Sequence, residues 1–293
     1  MIDARFDAFL TSLRPSPEDH ARARAAAIVI AESLRRHFRP DAPLDLRDDL
    51  LVAGSVGKLT ALAPAAQVDL LYLLPDAERG QSHPIETVEA VLRAAFPRRV
   101  ALVAGESWVN TPAAQVRVLP AFIEEEGFLV ALAGRWRHSN PVAEAAALRL
   151  TDRLHDGRAT GLLLLAKAWA RQCAVPVSSF ELEILVREYL GADPAPKSWP
   201  DLFTAFLAWG RAHTPGGFDM PGGWEKLEIG NAWHGPAESA YWRAVLAGRH
   251  QASGDISEAI GEWRHLFGED FPDAAPITLS PHRPPPPIRD SVS

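Results

Sequence analysis

Strand-like patterning stops at Pro141, and this break fixes the broad shape of what the chain can become. Before it, apolar runs of strand length alternate with helical ones; after it, apolar residues recur at helical spacing only. The first part therefore reads as mixed sheet with helices at one side, an α+β unit, and the second as an all-helical unit. With 293 residues and 47% hydrophobic content, there is material for one large or two modest cores. We expect a first lobe over 1–140, a helical lobe over 141–272 and a Pro-rich tail over 273–293.

Residues 3–14 and 18–38 read as helices. In the second, Ala23, Ala27, Ile30 and Leu34 share a face and Arg22, Arg24, Arg35 and Arg36 fall off it, until Pro40 and Pro43 stop the helix. Leu51–Ala53 reads as a short strand ending in a Gly54-Ser55 turn, 67–74 as a buried strand, and 84–96 as a helix opened by Pro84. Strands are predicted at 100–104, 114–119 and 128–131. Beyond Pro141, helices are predicted over 141–154, 161–173, 178–190, 200–212, 236–250 and 255–267. Glu181 and Glu183 fall in the first turn of the third of these, where negative charge suits the helix dipole. A Pro-rich linker at 193–200 and a Gly/Pro loop at 215–223 separate the later helices.

Composition excludes several classes. A lone cysteine, Cys173, rules out a disulfide framework and a cysteine-based zinc site, and the histidines lack metal-ligand spacing. Leu162–Ala170, the longest apolar run, is broken by Lys167 and is too short to span a bilayer, so no membrane partner is expected. Charges at Asp3, Arg5 and Asp7 with no apolar stretch behind them predict no secretory signal and a cytoplasmic location. Net charge is −7, and the basic clusters at 35–39 and 98–99 are too narrow for a duplex-binding spine, so no duplex nucleic acid is expected. The prolines at 281–287 predict an extended tail, a candidate ligand for a protein partner.

Chemistry concentrates around Gly54-Ser55 and Gln67-Val68-Asp69. Glycine lets backbone amides approach a phosphate, and the serine hydroxyl can bind its oxygens. Gln67 and Asp69 alternate onto one face of their strand. A phosphate cradle beside two polar strand positions suits a metal-bound triphosphate.

Further motifs extend the pattern: Lys58 and Thr60 after the turn, Val116-Arg117-Val118-Leu119-Pro120-Ala121-Phe122, Lys167-Ala168-Trp169, Ser179-Phe180-Glu181-Leu182-Glu183, and the closing segment from Glu262 to Pro272. In this order and spacing the chain resembles the CD-NTases, the bacterial nucleotidyltransferases related to cGAS and the oligoadenylate synthetases. The resemblance covers nearly the full chain and implies a bilobal, polymerase β-like nucleotidyltransferase fold, NTP (ATP or GTP) as ligand and a place in antiphage signalling. It implies that Gly54, Ser55, Lys58, Thr60, Lys167 and Ser179 bind nucleotide, and that Trp233 and His234 lie near the acceptor for base stacking.

In that family three carboxylates on adjacent strands hold two Mg²⁺ ions, which activate the attacking hydroxyl and stabilise the leaving pyrophosphate. Here only the second, Asp69, is retained; Gln67 and Arg117 stand at the other two positions. An amide is a poor magnesium ligand and a guanidinium repels the ion. No Asp occurs between Asp76 and Asp152; Glu106 and Glu124, Glu125 and Glu126 are the carboxylates within reach, in turns or at strand ends, and Glu106 is the candidate rescuing ligand. The expectation is a catalytically deficient nucleotidyltransferase-fold protein that binds NTP or a partner. The alternatives are an active Mg²⁺-dependent enzyme making cyclic or linear oligonucleotides, and a partner-binding module that uses no nucleotide.

Overall fold

The computed structural model describes residues 2–192, 198–223 and 225–273. The 193–200 linker therefore lies mostly, and the 273–293 tail almost wholly, outside the described residues. Two N-terminal helices, α1 (Ile2–Leu13) and α2 (Pro17–Phe38), precede strand β1 (Leu50–Ala53), the helical turn α3 (Gly54–Gly57) and strand β2 (Gln67–Leu73). Then come α4 (Pro84–Ala95), β3 (Val100–Val103), β4 (Glu106–Asn110), β5 (Gln115–Glu124), β6 (Gly127–Leu132) and β7 (Arg135–Ser139). Ser16 caps α2 by accepting from the Asp19 amide at 3.0 Å, with Pro17 supplying a pre-set φ at the first helical position.

The sheet runs β1-β2-β5-β4-β3, with β6 and β7 continuing from the far half of β5. Among the described residues only β2 and β5 pair in parallel, Asp69 opposite Arg117. β5 is longer than its predicted span: it runs through Pro120-Ala121-Phe122 to Glu124. The proline falls where β5 leaves β4, paired up to Val118, and takes up β6, paired from Ala121, so a missing N–H interrupts neither antiparallel ladder. Strands β4 and β7 were not predicted. Each is five residues long and half exposed, with polar residues interrupting the apolar signal.

Alternation divides the sheet's faces. Val68, Leu70, Tyr72, Val116 and Val118 pack under α2 and α4, while Leu71, Leu73, Leu119, Ala121 and Val130 form a smaller cluster on the opposite face. Asp69 and Arg117 share that second face.

The helical part comprises α5 (Pro141–Leu154), α6 (Arg158–Gln172), α7 (Ser179–Gly191), α8 (Trp199–His213), the hairpin β8 (Gly216–Asp219) and β9 (Lys226–Ile229), α9 (His234–Ser253) and α10 (Ile256–Phe267). The first strand of the hairpin lies within the predicted Gly/Pro loop and the second lies just beyond it. The mixed sheet and helices thus bear out the α+β expectation. One helix sits apart from its sequence neighbours. Ile2, Phe6, Phe9, Leu10 and Leu13 of α1 are buried with α6, α8 and α10 rather than against the sheet, although α1 precedes the sheet in the chain. Trp233, expected near an acceptor, is buried in this core. Its indole lies 6.3 Å from that of Trp169 and fills the space a Cβ on Gly210 would take, so it offers no face to a base. Among the described residues no helix is long and apolar enough to cross a membrane.

Candidate nucleotide-binding cleft

Between the second face of the sheet and the helical part lies a cleft of about 850 Å³. The chain enters it from β1 through Gly54, whose φ of +60° favours glycine. Space demands glycine as well: a Cβ there would meet Asp69 Oδ2 at 1.9 Å. Gly57 is equally confined, its Cβ position lying 2.1 Å from the Val52 carbonyl oxygen. The turn therefore rests directly on β1 and on the Asp69 carboxylate.

Opposite Asp69, in parallel register, Arg117 donates from Nε to Asp69 Oδ1 at 2.8 Å and from Nη1 to Glu106 Oε2 at 3.3 Å. The Ala133 amide donates to Glu106 Oε1 at 3.1 Å and fixes that side chain. Burial works against the Arg117 charge, but Asp69 and Glu106 outweigh it and raise its pKa above the ordinary value. Gln67 is exposed at the start of β2 and lines a neighbouring cavity of about 520 Å³ together with Gln115, its register partner.

Lys167 comes from the middle of α6 and is buried. Its Nζ donates to Ser55 Oγ at 3.1 Å, to the Thr60 carbonyl at 2.9 Å and to Thr60 Oγ1 at 3.2 Å. Burial pushes its pKa down to about 8, against the attraction of Glu183; Lys58 lowers it further and Asp69 raises it. Thr60 is fully buried, with both its oxygens on Lys167, so it positions that lysine and does not face the cleft.

Lys58 is likewise occupied. Its Nζ lies 2.7 Å from Glu144 Oε2 on α5 and 2.7 Å from Glu183 Oε1 on α7, with the Phe180 ring 5.1 Å away. Glu183 is therefore not an exposed dipole partner at a helix start but a buried bridge between the two parts of the chain. Its desolvation raises the carboxyl above its ordinary pKa even though Lys58 pulls it down. At the start of α7, Ser178 is the N-cap. It accepts from the Glu181 amide at 3.1 Å while Glu181 accepts from the Ser178 amide at 2.6 Å, a reciprocal capping box. This leaves the Ser179 hydroxyl exposed on the cleft wall.

The cleft thus brings together Gly54, Ser55, Lys58, Asp69, Arg117, Lys167 and Ser179 and leaves Gln67 and Thr60 outside. Sequence reasoning missed Glu144, the buried role of Glu183, and Arg135 and Arg137 on β7, which line the far side beyond an apolar floor of Leu71, Leu119, Val130 and Leu132. The period-two spacing of Arg135 and Arg137 after Gly134 was the available signal.

A two-metal centre does not fit this donor set. Among the described residues no group of three or more His, Cys, Asp and Glu could hold a metal ion. Asp69 is the one carboxylate of the expected triad, and Arg117 already occupies it. At ~4 Å and an effective dielectric of ~20, each unit of like charge brought against that guanidinium costs about 4 kcal/mol.

No family model matches the chain. A probable cyclic nucleotide synthase of Bacillus cereus strain VD146 is 23% identical over 172 residues, which is 53% of this chain and 51% of that relative. The aligned stretch is thus about half the length of the curated relative. CdnC of Escherichia coli MS115-1 superposes with a TM-score of 0.71 in its structure with ATP, at 16% identity over 93% of this chain and 99% of that one. In complex with HORMA-deltaN it gives 0.72 over 92% and 97% at the same 16% identity. Escherichia coli DncV in its 3'-deoxy GTP bound form gives 0.67 at 12% identity over 89% and 93%. The fold is that of the CD-NTases, the nucleotidyltransferases that the Gly54-Ser55 and Asp69 motif resembles.

Proposed function

We propose that this chain is a CD-NTase-like protein that binds a nucleoside triphosphate in its cleft and does not transfer nucleotides, serving antiphage signalling through binding and a protein partner. The observation that carries the reading is the ion pair between Arg117 and Asp69, in register on the strands where the chemistry needs carboxylates. Loss of the activated nucleophile and of metal charge at the leaving group removes many orders of magnitude in rate, at ~1.36 kcal/mol per tenfold. Phosphate-binding groups remain: Ser55, Ser179 at the start of α7, and Lys167 all line the cleft. ATP or GTP is the supported ligand class because CdnC was solved with ATP and DncV with 3'-deoxy GTP. The HORMA complex of CdnC supports a protein partner.

Radiolabelled ATP and GTP incubated with the protein and Mg²⁺ or Mn²⁺, wild type beside Asp69→Ala, should yield no oligonucleotide. A labelled product that disappears in Asp69→Ala overturns the loss of transfer and favours an active Mg²⁺-dependent enzyme.

Binding should carry the signature of Lys167. With a pKa near 8 this group sets a positive charge behind Ser55 on the cleft wall below that pH and loses it above. ATP affinity measured by calorimetry should fall as pH rises above 8, by up to roughly tenfold per pH unit, the limit set by one linked proton. Lys167→Met should bind more weakly and lose this pH dependence.

A further inference from the structure

The Gly54 turn creates a charge problem for any phosphate it holds. Because the turn touches Asp69, a phosphate resting on it lies beside a carboxylate. In two-metal transferases the offsetting charge arrives with the ligand, as Mg²⁺. Here the offsetting charge belongs to the protein. Arg117 is braced by Asp69 at 2.8 Å, by Glu106 at 3.3 Å and by the Trp108 ring 5.8 Å away, yet it still lines the cleft and is 29% exposed. Its Nη2 bonds to no described residue, leaving part of the planar fork for a ligand.

We infer, resting on the nucleotide-binding reading above, that Arg117 takes the place of the metal: the ligand is a metal-free nucleoside polyphosphate, and Mg²⁺ competes with the protein for it. Free ATP presents its full negative charge to Arg117 and Lys167, whereas a bound Mg²⁺ neutralises part of that charge and sets a dication against a guanidinium. The cleft as a whole favours the more highly charged form. Lys and Arg outnumber Asp and Glu on its walls six to four, in a chain whose net charge is −7. Two of the six, Arg135 and Arg137, form no ion pair among the described residues. A guanidinium also holds phosphate through two directed donors and needs no ordered metal hydration shell.

The test is calorimetric titration of ATP into the full chain, once in EDTA and once in excess Mg²⁺, followed by Arg117→Lys and Arg117→Asp with circular dichroism as the check on folding. Binding is expected in EDTA and should be about tenfold or more weaker in Mg²⁺, as free ligand is depleted by mass action. Arg117→Lys should keep that order, and a folded Arg117→Asp should reverse it. Binding that requires Mg²⁺, or is equal in both buffers, overturns this inference and leaves nucleotide binding standing. Silence in both buffers overturns nucleotide binding and this inference with it. The wild-type comparison decides the matter even where Arg117→Asp does not fold.

Discussion

Replacing Lys58 by Met is expected to destabilise the protein by about 3–5 kcal/mol, the cost of leaving buried charge without its partner. Lys58 Nζ bridges Glu144 and Glu183, each at 2.7 Å, and the three side chains are only 5%, 15% and 4% exposed. Methionine keeps most of the volume and removes the charge, so two carboxylates are left facing each other out of water. For a chain of this size each kcal/mol moves Tm by about 2–4 °C, and a fall of about 10 °C in a thermal melt is the expected reading. The effect should depend on pH with a definite sign. Burial already raises Glu183 above its ordinary 4.5, and loss of Lys58 raises it further. The folded variant then binds more protons than the unfolded chain above pH 4.5, so its stability falls as pH rises through the folded pKa and recovers on acidification. Adding Glu183→Gln to Lys58→Met should restore part of the loss at pH 8. A Lys58→Met protein that melts within 2 °C of wild type at pH 8 would remove the buried bridge from the account of this fold.

A comparable loss, about 3–5 kcal/mol, is expected for Phe6→Ala. Phe6 is fully buried, with ring centroids 4.9 Å from Trp263, 5.8 Å from Phe267 and 5.1 Å from Phe271, all near edge-on. Truncation removes these contacts together and leaves a ring-sized cavity in a core that α6, α8 and α10 share. Because α1 holds to that core by one apolar face, the readout should be local first: amide exchange in α1 should accelerate before the sheet is affected. Uniform acceleration across β2 and β5 would contradict the packing described for α1.

Short-range chemistry was legible in the sequence and long-range pairing was not. The Gly54-Ser55 turn, the strand bearing Asp69 and the helices after Pro141 each announce themselves within a window of ten or fifteen residues. Arg117 opposite Asp69 was readable because a motif aligned the two strands. Lys58 was read as a ligand for nucleotide, yet its partners lie 86 and 125 residues away and no local pattern points to them. Glu183 was assigned to the helix dipole for the same reason: from sequence, an acid near a helix start looks solvated until another chain segment covers it. Thr60 followed a motif into the nucleotide set, whereas burial turns both its oxygens to Lys167. Trp233 shows the reverse error, an aromatic in a Gly-rich stretch taken for an exposed platform when the absent side chain at Gly210 made room for it in the core.

The position of α1 has a mechanical consequence. With α1 in the helical core and α2 under the sheet, the polypeptide passes between the two parts at 14–16 and again at Asn140. Two bodies tied at two short crossings keep little freedom except rotation about the line that joins them. A motion that widened the cleft, which both bodies wall, would turn about the crossings near Pro15 and Asn140. Such a motion would have to break the Lys58 bridge to Glu144 and Glu183 and the hydrogen bonds of Lys167 to Ser55 and Thr60, which join the same two bodies.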